Sequence, residues 1–482
     1  MYEPVIGLEV HAELLTQSKM FCACPVLDVT EAQPNRAVCP VCAGMPGVLP
    51  VVNQQAVEYA LRVALALECE ILPVSIFARK NYFYPDLPKG YQISQYEQPL
   101  AVNGRLTIQT SQGEKVVRIR RVHLEEDTGK LTHIGDENGG HSLVDLNRAG
   151  IPLLEIVTEP DLHSAEETRA YAQALRALLR YLGVNSGDMQ KGVMRIEPNL
   201  SLHPIGSQTF GTKVEIKNLN SFRALERAVA YEIERQTAIL AAGGRVVQET
   251  VGWDDVEQVT FSQRSKEEAH DYRYFPEPDL PPLVVTDDWI ARVRAALPEL
   301  PAQKIARFQK TYALSAYDAE VLAAEQAVAD YFEAVVAAAP QITPKIAANW
   351  VMGELFGLLN QHGSGVESNP VSASNLGELL TLIAEGVINQ NTAKSVLAEM
   401  FSSSKTADQI VTARGLRQIS DASQLAGLIA DVLAQNPQQV ADYHNGKEAL
   451  FNWLFGQAMR AAKGKANPEV LRAELQKQLH GE

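Results

Sequence analysis

The chain has 482 residues, 46% hydrophobic and 21% charged, a globular composition with enough apolar mass for two or three domains. Its net charge of −15 argues against a protein that coats nucleic acid through a uniformly basic surface, while leaving room for a local basic patch. The opening MYEPVIGLEVHAEL has neither the basic start nor the apolar stretch of a secretory leader, and no apolar run approaches the roughly 18 residues of a membrane span; the expectation is a soluble, cytoplasmic protein without a membrane partner.

The first informative segment is Leu8 to Leu14. Leu8, Val10, Ala12 and Leu14 alternate with Glu9, His11 and Glu13, so a strand here would place its charges on one face. The cysteines follow. Five in this length cannot form a disulfide scaffold, and four of them crowd into residues 22–42. Cys22-x-Cys24, fourteen residues, then Cys39-x-x-Cys42 gives two close pairs that suit a tetrahedral zinc, with Pro40 and Gly44 supplying the turn. Four free thiols and an iron–sulfur cluster are the competing readings. Such a site closes with four protein ligands and would be structural. Cys69, alone in LALECEIL, reads as a small core residue.

Three later segments repeat the alternation. VVRIRRVHLEE (116–126) leads His123, Glu125, Glu126 and Asp127 into a turn at Gly129. In 194–202, Arg195, Glu197, Asn199 and Ser201 share a face, and Lys213, Glu215 and Lys217 do so in 213–217. Between these lies a helix: Ser164 and Glu167 form a capping-box pattern, Tyr171, Leu175, Leu178 and Leu182 follow at helical spacing, and Gly183 ends the run.

A solvated sheet face is the ordinary meaning of polar alternation. Here, however, the polar positions are carboxylates and imidazoles, which repel when crowded unless a cation lies between them. Four such strands suggest a concave acidic surface able to hold Mg²⁺ against nucleotide phosphates. No GxxxxGK[ST] sequence is present, so this is not a P-loop design. Metal-dependent hydrolysis remains open from spacing alone.

FPEPDLPPLVV (275–285) holds four prolines in eleven residues and reads as a stiff, extended boundary. Beyond about Asp287, Ala, Leu, Gln and Glu dominate and the pattern turns helical, with a further boundary expected near 402–415. The expected division is 1–290, 291–405 and 406–482.

Several segments together resemble the B subunit of the aspartyl/glutamyl-tRNA amidotransferase, the GatB family. They are GLEVHAEL (7–14), RKNYFYPDLPKGYQISQY (79–96), HLEEDTGK (123–130), DLNRAGIPLLEIVTEPD (145–161), EIKNLNSFRALERA (215–228), RSKEEAHDYRYFPEPDLPP (264–282), NWVMGEL (349–355) and GKANP (464–468). The resemblance implies an α+β fold: a glutamine-synthetase-like cradle on a mixed or antiparallel sheet, an all-α domain, and a small YqeY-like tail that binds tRNA. It implies an ATP- and Mg²⁺-dependent ligase that amidates Glu-tRNA(Gln) or Asp-tRNA(Asn) through an acyl phosphate. No amidase Lys–Ser group or glutaminase cysteine is apparent in the chain. Ammonia would therefore come from an amidase A subunit, in a heterotrimer with a small C subunit. The alternative is a zinc-containing tRNA-binding scaffold that does no chemistry.

Carried over by resemblance, Glu9, His11, Glu125, Glu126, Glu197 and Glu215 are the Mg²⁺ ligands, with Glu125, Glu126 and Glu215 catalytic, and Cys22, Cys24, Cys39 and Cys42 the zinc ligands. The family carries Asp at the position of Glu197 and an acidic pair at Gln190-Lys191, which leaves the role of Glu197 to geometry. Lys80, Lys89, Arg264 and Arg273 are candidates for ATP phosphates or the tRNA acceptor end, with Tyr82–Pro85 offering aromatic faces. In the tail, Lys447, Arg460, Lys463 and Lys465 are candidate tRNA contacts.

Overall fold

Alternation in the N-terminal region becomes a nine-stranded sheet. In spatial order its strands are Val259–Ser265, Glu249–Asp254, Val214–Lys217, Met194–Pro204, Tyr2–Glu13, Pro152–Thr158, Gly113–Glu126, Ala101–Thr110 and Glu70–Ile71. Neighbours run antiparallel except Val214–Lys217 beside Glu249–Asp254, which are parallel. These assignments come from a computed structural model, which describes residues 2–135, 140–207, 209–265, 272–403, 405–418, 422–462 and 465–480. Residues 1–300 form one compact unit and residues 301–482 another.

Only one face of the sheet is apolar. Ile6, Leu8, Val10 and Ala12 are buried on it, together with Val122, Leu124, Leu154 and Ile156, beneath the helices Gln54–Ala66, Ala165–Tyr181 and Phe222–Ala241. Each fully buried Leu or Ile stabilises this layer by about 1.5–3 kcal/mol relative to exposure. The second helix starts where the sequence places it: the Ser164 hydroxyl accepts the Glu167 N–H at 3.1 Å. The reciprocal bond of a capping box is replaced. Glu167 instead accepts the His163 N–H at 2.6 Å and the Lys115 ammonium at 2.7 Å, tying the helix start to the sheet. Tyr171, Leu175, Leu178 and Leu182 are buried, and Gly183 takes φ +66° to end the helix.

The proline-rich run is stitched to the first unit. Phe275–Pro276 pairs antiparallel with Ala78–Arg79, and Leu283–Val284 with Val74–Ser75. Proline is accommodated because these are short edge pairings in which a missing N–H leaves no buried ladder incomplete.

The second unit is helical. The helices from Pro301–Tyr312 to Ala407–Ala413 surround a core that includes Phe308, Phe332, Trp350, Leu380 and Val396. Ala422–Gln435, Pro437–His444, Leu450–Ala461 and Pro468–His480 gather around Leu425, Ile429, Leu454, Leu471 and Leu475. Within 402–415, read from sequence as a boundary, Thr406 caps the helix Ala407–Ala413, which buries Ala407, Ile410 and Val411 in the first of these clusters. The architecture is α+β, as expected. Among the described residues no helix is long and apolar enough to cross a membrane.

Candidate metal and phosphate site

Register places the charges. Residues directly opposite each other in a ladder project from the same face. His11 lies opposite Arg195 on one side and Glu155 on the other, and Glu155 is opposite His123. Glu125 pairs with Leu153, Glu9 with Glu197, and Asn199 with Glu215. One sheet face therefore carries every odd-numbered acid and imidazole of these strands.

Two trios result. In the first, ligand atoms of His11, Glu125 and Glu155 all lie within 4.8 Å of one another. The Nε2 of His11 is 3.6 Å from Glu125 and 3.7 Å from Glu155, and the Nε2 of His123 is 2.9 Å from Glu155. Ser94 donates its hydroxyl to Glu125 at 3.1 Å. Burial, reinforced by the neighbouring Glu155, pushes the Glu125 carboxyl up to about 7 against the pull of His11 and Lys80. Glu155 is held well below the carboxylate range: burial would raise it, but His123 more than offsets this. Two buried carboxylates this close are relieved by a shared cation.

In the second trio, ligand atoms of Glu9, Glu197 and Glu215 are likewise mutually within 4.8 Å. Asn199 donates to Glu9 at 3.0 Å and Thr250 to Glu215 at 2.9 Å. The Lys217 ammonium lies 2.8 Å from Glu197 and 3.8 Å from Glu215. Against burial, Lys217 and then His11 hold Glu197 down to about 2. Because Glu9 and His11 are two residues apart on one strand, about 7 Å along it, the trios are neighbours on the face. Hard oxygens with a single imidazole fit a hard divalent cation better than a soft one.

The cysteine cluster lies apart from these trios. Sulfurs of Cys22, Cys24, Cys39 and Cys42 are all within 4.8 Å of one another, and those of Cys39 and Cys42 are 3.9 Å apart. A tetrahedron of thiolates at the usual zinc distance has an edge of roughly 3.8 Å, so the donor set fits zinc. The Cys39 N–H donates to the Cys42 sulfur at 3.2 Å. A hydrogen bond from Cys22, aided by the Cys39 backbone and Lys19, holds Cys42 down to about 4, and Cys22 is raised in return.

The whole chain has counterparts. Residues 4–291 match the GatB/GatE catalytic domain and residues 330–479 the GatB domain. The chain belongs to the GatB family. It is 53% identical over 478 residues to the B subunit of aspartyl/glutamyl-tRNA(Asn/Gln) amidotransferase from Myxococcus xanthus, covering 99% of this chain and 98% of that one. It is 54% identical to the protein of the same name from Moorella thermoacetica, covering 99% of this chain and 100% of that one. With that of Thermodesulfovibrio yellowstonii the identity is 52%, over 98% of each chain.

Within this GatB-family frame, the expected residues separate. Glu9, His11, Glu125, Glu197 and Glu215 are brought together in the two trios. Glu126 joins neither: alternation turns it to the other face, where it pairs with Lys89 and accepts the Ile93 N–H at 2.9 Å. Lys89 is thus committed to Glu126. Lys80 lies near the first trio, 4.9 Å from the Tyr272 ring centre, and its charge is favoured by Tyr274, Glu125 and Glu155 although burial opposes it. Arg273 is exposed, with φ +46°, and its carbonyl accepts from Asn81. Arg264 lies in the Val259–Ser265 strand, but its side chain is outside the described residues, as is Lys463. In the tail, Lys447 pairs with Asp442 at 2.9 Å, Lys465 donates to the Gly415 carbonyl at 2.6 Å, and Arg460 is exposed.

Two members of this site escape a reading of the sequence. Glu155 is the lone charge in the apolar strand PLLEIVT, a position where an acid is costly unless it has work to do. Lys217 is visible in the alternation, but nothing there assigns it a role. A third group adjoins the first trio: Asp127 pairs with Arg195 at 2.9 Å, and burial together with Asp127 pushes Glu13 up to about 8.

Proposed function

We propose that the chain is the B subunit of a tRNA-dependent amidotransferase, which activates the side-chain carboxylate of Glu-tRNA(Gln) or Asp-tRNA(Asn) and converts it to the amide. The observation that carries this reading is the pair of carboxylate trios side by side on one sheet face. Full-length similarity to proteins of that name supports it.

In this reading His11, Glu125 and Glu155 hold one Mg²⁺ and Glu9, Glu197 and Glu215 a second. Mg²⁺ held there would supply charge neutralisation for the triphosphate of ATP. Lys80 and Lys217 add positive charge beside the two trios, and His123 fixes the orientation of Glu155. The substrate carboxylate oxygen attacks the terminal phosphorus of ATP and ADP leaves. The acyl phosphate then has the leaving group a free carboxylate lacks: ammonia attacks its carbonyl carbon, and inorganic phosphate departs carrying the proton that the nitrogen gives up. The ammonia comes from a glutaminase partner, an amidase A subunit held with a small C subunit in a heterotrimer. Within the expected tail, 406–482, the helices from Ala422–Gln435 to Pro468–His480, with Arg460 exposed, contact tRNA. Zinc on the four cysteines is structural.

The deciding experiment is amidation of both misacylated tRNAs by the reconstituted complex. ATP consumption should require Mg²⁺ and misacylated tRNA, and should disappear in Glu125→Ala and Glu215→Ala while tRNA binding persists. Unimpaired amidation by these variants would overturn the assignment.

A further inference from the structure

Lys19 is one of the largest fully buried side chains of the protein, 0% exposed. Its ammonium donates to the Ala37 carbonyl at 2.7 Å and the Leu146 carbonyl at 3.1 Å, and its third contact is the Cys42 sulfur at 3.6 Å. Among the described residues it makes no ion pair with a carboxylate. Glu126 approaches the same corner, where a Cβ on Gly150 would touch Lys19, Cys42 and Glu126 at 3.5, 3.5 and 3.9 Å, but its partner is Lys89. A buried ammonium is costly unless it has an anion. The available anion is the thiolate cluster.

We propose that Lys19 is the built-in counter-cation of the four-cysteine centre, its buried ammonium donating to the Cys42 sulfur and cancelling part of the charge of a tetrathiolate metal site. This rests on the zinc reading above. Four thiolates around Zn²⁺ carry a net charge of −2, which a half-buried pocket tolerates poorly; an ammonium at N–H···S distance halves it.

Its position also couples the centre to the sheet. Asn147 accepts the Arg36 and Ala37 N–H groups at 2.7 and 2.9 Å, and its amide donates to the Gln33 carbonyl at 2.8 Å. Asn35 binds Asp145, Val144 and Leu146. The loop between the two cysteine pairs is thus laced to residues 144–147, and Lys19 joins both sides of that seam through Ala37 and Leu146. Residues 152–158, the strand carrying Glu155, follow directly. Lys19 is a positioning residue and touches no substrate.

The test uses the full-length chain. Zinc content of the wild type is measured first, then zinc affinity by competition with a chromophoric chelator, for wild type, Lys19→Met, Lys19→Gln and a surface control in the helical unit, Lys310→Met. Outer contacts to metal ligands typically contribute tenfold to a hundredfold in affinity. The two Lys19 variants should lose zinc about that much more readily, the control should match wild type, and Co²⁺ bound to either variant should show shifted sulfur-to-metal absorption. Should Lys19→Met not fold, Lys19→Gln, which keeps a donor but no charge, decides alone. Wild-type affinity and an unshifted Co²⁺ spectrum in a folded Lys19 variant would overturn the proposal while sparing the zinc reading. A wild type without zinc would overturn both.

Discussion

The carboxylates of the polar sheet face and the thiols of residues 22–42 both concentrate negative charge, but the surrounding residues treat them differently. On the sheet, Glu9, His11 and Glu197 stay partly open to water, and the cations beside them, Lys80 and Lys217, are partly exposed as well. In the cysteine cluster the counter-charge is Lys19, sealed at 0% exposure and held by two carbonyls. A site that must bind and release phosphates needs open positions and adjustable charge, whereas one that holds a loop gains by being closed. Charge compensation therefore distinguishes exchange from architecture here, independently of ligand identity.

The largest effect tests the open half of this contrast. In the proposed site Glu125→Ala would remove a Mg²⁺ ligand; a catalytic metal typically contributes several kcal/mol to a transition state, and about 4 kcal/mol corresponds to roughly a thousandfold. Amidation by the reconstituted complex should fall by about that factor, read as the initial rate at saturating ATP. A smaller effect, about a hundredfold, is expected of Glu155→Ala, which strips one carboxylate but leaves His11 and Glu125 in place. If Glu155→Ala were silent while Glu125→Ala was not, Glu155 would be only a partner for His123.

Replacing both Cys39 and Cys42 with Ser probes the closed half. Zinc should drop from one per chain to none, measured by elemental analysis, while amidation per folded molecule falls no more than about tenfold, or roughly 1.4 kcal/mol. A loss as deep as that of Glu125→Ala would break the comparison and make the cysteine cluster part of the chemistry.

How much of this was legible in the sequence follows the same line. Period-two alternation exposed Glu9, His11, Glu125, Glu197 and Glu215, because a strand's face is written into its residue parity. Parity places Glu126 on the face opposite Glu125, whereas the family resemblance carried both over as ligands. Glu155 was hidden because its strand is apolar on both sides, and only pairing with His11 and His123 explains an acid there. The clustering of cysteines was readable from spacing. Lys19 was not, since nothing in QSKMFCAC distinguishes a surface lysine from a buried one until the chain folds back through Ala37 and Leu146. The helix at Ser164 was legible, but Glu167 chose His163 and Lys115, partners set by tertiary contact.

The smallest expected effect is no reaction at all, and it supplies the control for the cysteine cluster. Cys69 is 8% exposed, its sulfur packs where a Cβ on Gly104 would collide with it at 2.3 Å, and burial pushes its thiol up to about 12. At pH 8 only about one part in ten thousand would be the reactive thiolate. Treating the native chain with a zinc chelator and iodoacetamide at pH 8 should therefore label the cysteine cluster first at Cys42, whose thiol is held low, and spare Cys69, as read by mass spectrometry. Without chelator the four should be protected as well, because a metal-bound thiolate is masked. Labelling of Cys69 at the rate of the others would show that its packing opens readily, and labelling of the four without chelator would show that no metal closes their site.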